Sequence, residues 1–351
     1  MNIKIIGSGS FVPSNRIKND YFKNHLFLDE NGLPFKQSQL VIEKFKAITG
    51  IEERRYADAN QVASDLAFKA GQLAIDDAGI DAETLDYIIL AHNYGDIPYG
   101  KIQSDTVPSL ASRVKKKLGI SNPKCVAYDL LFGCPGWNEG VLHANAFIKS
   151  GMAKRCLVIG AETLSSVTDP FDRDSIIYAD GAGAVIVEAT HDSRGLLAFE
   201  SATYAIEESD YLNFGPSYQH EQHTETRYIK MKGRKIYEFA LSKVPLAMQA
   251  CLQNASIDIR AIKKVLIHQA NEKMDEAILK RFYALYNMTV PADVMPMTIH
   301  SLGNSSVATI PTLYDLIKRG EIEDQSIHEG DIILFASVGA GMNINAFLYQ
   351  V

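Results

Sequence analysis

No stretch of this 351-residue chain approaches the roughly 20 consecutive apolar residues that a membrane-spanning helix needs. Cysteine is scarce as well. Cys125, Cys134, Cys156 and Cys251 are scattered without C-x-x-C spacing, so neither a zinc site nor a disulfide framework is suggested. A reducing cytoplasm is the simplest home for such a chain. The segment Met1-Asn2-Ile3-Lys4-Ile5-Ile6-Gly7 lacks the features of a signal peptide and reads as a first strand running into a turn. Excess positive charge is missing too: 35 basic against 42 acidic residues give a net charge of -7. General affinity for nucleic acid is thereby excluded, since phosphate binding depends on clustered cations. Two local clusters remain, Lys115-Lys116-Lys117 and Lys230, Lys232, Arg234, Lys235. Each is a solvated face or a dock for an acidic partner.

What is present is ordinary in bulk, with 46% hydrophobic and 22% charged residues, and specific in its order. Apolar runs alternate with helical patterns, which defines an α/β chain. Strands are predicted over Tyr87–Ala91, Cys156–Gly160, Ala184–Glu188, Lys264–His268 and Ile332–Ser337. Cys134 closes the apolar run Leu130-Leu131-Phe132-Gly133 just before a predicted helix over Asn138–Lys149. A thiolate at a helix start is stabilised by unpaired N–H groups, which predicts a lowered pKa. Gly133 and Gly136 permit a sharp turn there. The plain alternative is a small buried cysteine packing as a hydrophobe.

An internal repeat is visible. Ala78-Gly79-Ile80-Asp81 matches Ala255-Ser256-Ile257-Asp258 at an offset of 177, and Phe132-Gly133-Cys134 matches Leu302-Gly303-Asn304 at 170. Gly181-Ala182-Gly183 matches Gly339-Ala340-Gly341 at 158. The matches fall in one order, as duplication gives. A boundary is expected between halves 1–193 and 194–351, with Cys134 and Asn304 at equivalent helix starts.

His268 stands at a strand end, where ligands of α/β folds bind, and is otherwise a structural histidine. Asn304 lies in Gly303-Asn304-Ser305-Ser306 and is otherwise a helix N-cap. Gly339-Ala340-Gly341 could aim N–H groups at an oxyanion, or serve as a tight turn. Together with Thr49-Gly50-Ile51-Glu52-Glu53-Arg54-Arg55, Asp180-Gly181-Ala182-Gly183-Ala184 and His268-Gln269-Ala270-Asn271, these motifs resemble the ketoacyl-acyl-carrier-protein synthase III group of the thiolase superfamily. The resemblance runs over nearly the whole chain.

The resemblance implies a duplicated, five-layered αβαβα thiolase-like fold and a catalytic set of Cys134, His268 and Asn304. It implies an oxyanion site of backbone N–H groups from Cys134, Gly339 and Ala340, and a homodimer in which Val107, ahead of Pro108-Ser109, lines the partner's acyl pocket. Partners would be acyl-carrier protein, an acyl-coenzyme A or acyl-carrier starter, and malonyl-acyl-carrier protein; no metal or redox cofactor is needed. Lys273, Arg234 and Lys235 are the candidates for carrier docking. Where acetyl-coenzyme A users of the group carry a tryptophan and an arginine before Thr-Gly-Ile, this chain has Lys44 and Ile48, and a further arginine position is Ser166. That weakens the case for coenzyme A as starter carrier. Residues 28–37 look like an inserted loop. The rival on the same fold is an acyltransferase that passes the acyl group to an oxygen or nitrogen nucleophile without decarboxylation. A papain-like hydrolase is disfavoured by the duplicated architecture, and a non-catalytic partner subunit by the retained Cys134, His268 and Asn304.

Overall fold

A computed structural model describes all residues except 36, 102 and 221–224. Strand β1 (Asn2–Phe11) precedes a ribbon of β2 (Asn15–Lys18) and β3 (Glu53–Tyr56), with helix α1 (Ser38–Thr49) inserted between its strands. Helix α2 (Ala63–Ala78) leads into β4 (Tyr87–His92), and α3 (Leu110–Lys117) into β5 (Val126–Leu131). Helix α4 (Gly136–Lys149) is followed by β6 (Arg155–Thr163) and β7 (Asp180–Thr190). These strands form a five-stranded sheet in the order β1-β7-β6-β4-β5.

The chain then enters a second sheet with β8 (Gly195–Thr203). A ribbon of β9 (Leu212–Pro216) and β10 (Arg227–Met231) precedes helix α5 (Gly233–Ala255), β11 (Ile262–Ile267) and α6 (Glu272–Ala284). The short α7 (Ile299–Leu302), then α8 (Thr309–Lys318), β12 (Ile332–Gly339) and β13 (Asn343–Gln350) complete the chain. The order here is β11-β12-β13-β8. Read from the other end, β8-β13-β12-β11 repeats β1-β7-β6-β4 in both order and strand sense.

Hydrophobic burial explains the stacking. The central strands are apolar on both faces, as strands covered on both sides must be. Trp137 and Val141 of α4 and Leu313 and Tyr314 of α8 share one core with Val158 of the first sheet and Phe335 and Phe347 of the second. Helices α2 and α3 cover the outer face of the first sheet with Leu66, Ala70 and Leu110. Helices α5 and α6 cover the second with Val244, Met248 and Ile278. Five layers result, αβαβα, with α4 and α8 in the middle. Strand β5 is an edge, and its end residues Val126 and Leu131 remain exposed. Among the described residues no helix is long and apolar enough to cross a membrane.

Candidate active site

Cys134 sits in the tight turn between β5 and α4, on the central layer. The Gly136 N–H donates to the Gly133 carbonyl at 3.0 Å, closing the turn. Opposite it runs the end of β12. A Cβ on Gly339 would lie 2.5 Å from the Cys134 nitrogen, and one on Gly133 would lie 2.7 Å from the Ala340 nitrogen. Only glycine allows the two backbones to approach this closely. Among the described residues the Cys134 N–H has no backbone acceptor, and it lies against its own sulfur.

His268 follows β11 directly and is buried, its N–H donating to the Ala336 carbonyl at 2.9 Å. Its Nδ1 is 2.7 Å from the Thr309 hydroxyl, which is 3.0 Å from the Ser306 carbonyl. That hydroxyl has one proton and two acceptors within reach. With the proton on the Ser306 carbonyl it accepts from Nδ1–H, and Nε2 carries the lone pair. With the proton on Nδ1, Nε2–H becomes a donor. Burial lowers the imidazole pKa to about 3, so the ring is neutral near pH 7.

Asn304 lies just ahead of a 3-10 turn, Ser306–Ala308, that runs directly into α8 at Thr309; the N-cap position of that turn is Ser305. It lies in the turn after α7 and is bridged to Tyr178: its N–H donates to the Ile177 carbonyl at 3.0 Å, and the Ala179 N–H donates to its carbonyl at 2.8 Å. Its Oδ1 accepts from the Ser306 N–H at 2.8 Å, and Nδ2, with no acceptor among the described residues, is its free donor. The helix N-cap reading misses the cap position by one residue: Asn304 Oδ1 accepts the first N–H of the helical turn, while its backbone is held by the first sheet's connection.

Cys134, His268, Asn304, Gly339 and Ala340 all line one cavity of about 270 Å³, whose other walls include Leu164, Phe214 and Met274. Burial in this apolar pocket pushes the thiol pKa up to about 11, with the Ser306 hydroxyl at 3.4 Å pulling the other way. The lowered pKa expected from the helix start is thus overturned in the free protein. Desolvation outweighs the helix terminus.

A second cavity of about 590 Å³ adjoins the first through Ile177, Met231, Ile236, Ala270 and Met274. Lys44 and Ile48 line it, together with Leu40, Phe45, Arg173 and Arg234, whereas Ser166 lines neither cavity. Phe35 and Gln37 from the expected inserted loop form part of its wall; residue 36 of that loop lies outside the described residues.

The basic clusters divide. Lys115 Nζ donates to the Asn122 and Cys125 carbonyls, each at 2.7 Å, and secures the loop after α3, Lys117 pairs with Asp65 of α2, and Lys116 is exposed. Lys230 is buried against Asp169 at 2.6 Å and Asp172 at 3.1 Å and is unavailable to any partner. Arg234, Lys235 and Lys273 remain exposed, Arg234 beside Glu238 at 2.9 Å. Val107 is 84% exposed, outside both cavities of its own chain.

Four residues around the thiol had no assigned role in the sequence: Asn93, Glu162, Ser306 and Thr309. Asn93 and Glu162 stand at the carboxyl ends of β4 and β6, next to the cavity, and that position was the signal available. Burial raises the Glu162 pKa to about 7, against the hydrogen bonds it accepts from Asn93.

Five layers in this order, with a cysteine at the head of the central helix, define a thiolase-fold condensing acyltransferase. Residues 128–205 match the model of the 3-oxoacyl-[acyl-carrier-protein] synthase III family, and residues 252–351 match that of its C-terminal part. A beta-ketoacyl-[acyl-carrier-protein] synthase III from Prochlorococcus marinus is 32% identical, over 99% of this chain and 96% of its own. One from Staphylococcus aureus is also 32% identical, over 99% and 98%. The crystal structure of 3-oxoacyl-[acyl-carrier-protein] synthase III from Aquifex aeolicus superposes with a TM-score of 0.80 at 30% identity, covering 99% of this chain and all of that one. The chain belongs to the 3-oxoacyl-[acyl-carrier-protein] synthase III family.

Proposed function

We propose that the chain joins a Cys134-bound acyl group to malonyl-acyl-carrier protein by decarboxylative Claisen condensation. The observation that carries this reading is the single apolar cavity in which a thiol, a neutral imidazole and a free amide donor meet. In the first half-reaction the Cys134 sulfur attacks the acyl thioester. Its proton passes to His268 Nε2 and on to the departing carrier thiolate, so that no net charge is left in the pocket. The tetrahedral oxyanion is held by the N–H groups of Cys134 and the Gly339–Ala340 segment.

In the second, the ring takes its other neutral tautomer: Nδ1 loses its proton and Nε2 gains one by exchange with water, the Thr309 hydroxyl turns to donate to the bare Nδ1, and Nε2–H becomes a donor. Malonyl thioester loses carbon dioxide, and the electron pair left behind is stabilised as an enolate by His268 Nε2–H and Asn304 Nδ2. The carbanion carbon attacks the acyl-cysteine carbonyl, the new carbon–carbon bond forms, the carbon–sulfur bond breaks, and the departing Cys134 thiolate takes one proton from water. The outer cavity suits a carrier arm: apolar walls for the arm, with Lys44, Arg173 and Arg234 for its phosphate. Arg234, Lys235 and Lys273 would meet an acidic carrier protein. We assign a homodimer through the open edge of β5, Val107 lining the partner's acyl pocket, and a cytoplasmic setting that keeps the free thiols reduced.

The test is mass spectrometry of the intact protein after incubation with acyl-coenzyme A and acyl-carrier donors. An acyl adduct that is absent in Cys134→Ser, followed by carbon dioxide and a β-keto product on adding malonyl-carrier protein, is the expected result. An adduct that transfers to an alcohol or amine without carbon dioxide release would establish the non-decarboxylating acyltransferase instead.

A further inference from the structure

Ser306 touches Cys134 and Asn304 directly and reaches His268 through Thr309. Its hydroxyl donates to Cys134 Sγ at 3.4 Å, and its N–H donates to Asn304 Oδ1 at 2.8 Å. Its carbonyl lies 3.0 Å from the Thr309 hydroxyl, which in turn is 2.7 Å from His268 Nδ1. The residue is 3% exposed, and its φ is 53°, in the left-handed region that side chains rarely adopt. Such a conformation persists where its surroundings over-determine it.

The direction of the hydroxyl proton is fixed from behind. Glu162 Oε1 accepts from the Asn93 N–H at 2.8 Å and also from the Asn93 side-chain amide. That contact orients the amide nitrogen, not its oxygen, toward Ser306, where Nδ2 donates to Oγ at 3.0 Å. Because Ser306 Oγ is already accepting, its one proton is left to point at the sulfur. Hydrogen bonds to sulfur favour the thiolate over the thiol.

We infer that Ser306 is the positioning residue that aligns Cys134, His268 and Asn304, and that Asn93 and Glu162 set the sense of its hydroxyl. The inference rests on the condensing reading above for its purpose, but its test needs neither acyl donor nor carrier. The readout is the rate of alkylation of Cys134 by iodoacetamide across pH, with Cys134→Ser as the control that locates the signal.

Ser306→Gly removes the hydroxyl while relieving the left-handed strain, so the fold is kept or made firmer. Alkylation near pH 8 is expected to slow about tenfold, with the pH profile displaced upward by about one unit. Asn93→Ala should slow it by a smaller factor, and should add nothing in the Ser306→Gly background. A purely structural role would instead lower the melting temperature of both variants and leave the two effects additive. Wild-type alkylation in Ser306→Gly, checked with Ser306→Ala, or equal Asn93→Ala effects in both backgrounds, overturns the inference. Alkylation that behaves as expected in a protein that makes no β-keto product would instead reject the condensing reading and leave the positioning role standing.

Discussion

In the first sheet β5 lies beyond β4 and runs straight into the turn that carries Cys134. In the second sheet no strand lies beyond β11 among the described residues, and 285–298 reach α7 as an irregular segment. The two halves therefore present their chemistry by different means. Cys134 is placed by its own neighbours: a strand, a two-glycine turn and a fourteen-residue helix. Asn304 is placed by the other half, through the backbone bonds to Ile177 and Ala179 that precede β7. A duplicated fold has thus kept a continuous strand–turn–helix for the nucleophile, packed against Gly339 of the other half, and has replaced its counterpart's strand with an irregular segment. That segment is specified by long-range contacts, including those it makes to the thiol's own turn through Ser306 and Val307.

The sharpest way to separate the halves is Asn304→Asp. The substitution is nearly isosteric and still accepts from the Ser306 N–H, but it loses the free donor. Condensation is expected to fall about 10²–10³-fold, as when one oxyanion donor is removed, while acyl transfer onto Cys134 persists. Intact-mass detection of the adduct alongside carbon dioxide release measures both steps. Equal loss of the two would show that the halves do not divide the work.

Where the halves touch, Gly339→Ala tests how closely they must fit. The added carbon would lie 2.5 Å from the Cys134 nitrogen, and backbone there has no room to yield. Overpacking of this kind costs about 1–3 kcal/mol of stability. Thermal unfolding should register that loss, and acylation should slow because the Cys134 turn is displaced. Unchanged melting and acylation would mean that the two segments separate freely.

Much of the first half was legible because its cues are local. The predicted strand over Tyr87–Ala91 is β4 to within one residue, and the helix predicted from Asn138 begins at Gly136. The strand predicted to end at His268 stops at Ile267, which leaves the imidazole just beyond the sheet. Strand β5 went unassigned, since it is an edge whose burial is mixed and whose apolar run gives no period-two pattern. The site was legible as a set of motifs, but not in its wiring. The bonds from Asn93 to Ser306 and from Ser306 to Cys134 join residues 213 and 172 positions apart, distances over which no sequence periodicity reaches.

Val107 probes the comparison at the edge of the first sheet. It is exposed in its own chain and, on the dimer reading, enters the acyl pocket of a second copy. Val107→Phe should leave melting nearly unchanged and shift the acyl preference toward shorter chains, read from competition among donors of different length. An unchanged chain-length profile would remove Val107 from the pocket.

The last comparison belongs to protons. Unfolded histidine titrates near pH 6.5, whereas burial holds His268 at about 3. Between those values the unfolded chain binds a proton that the folded chain refuses, so stability falls as pH drops from about 6.5 toward 3. His268→Gln removes that linkage and should flatten part of the acid limb seen in denaturant midpoints. The reaction itself should show no loss from imidazole protonation between about pH 5 and 8, because the ring stays neutral throughout. Nuclear magnetic resonance of labelled imidazole decides the matter directly. A midpoint near 6.5 would mean that water reaches His268, and that the second half is as open at its strand end as its missing fifth strand would allow.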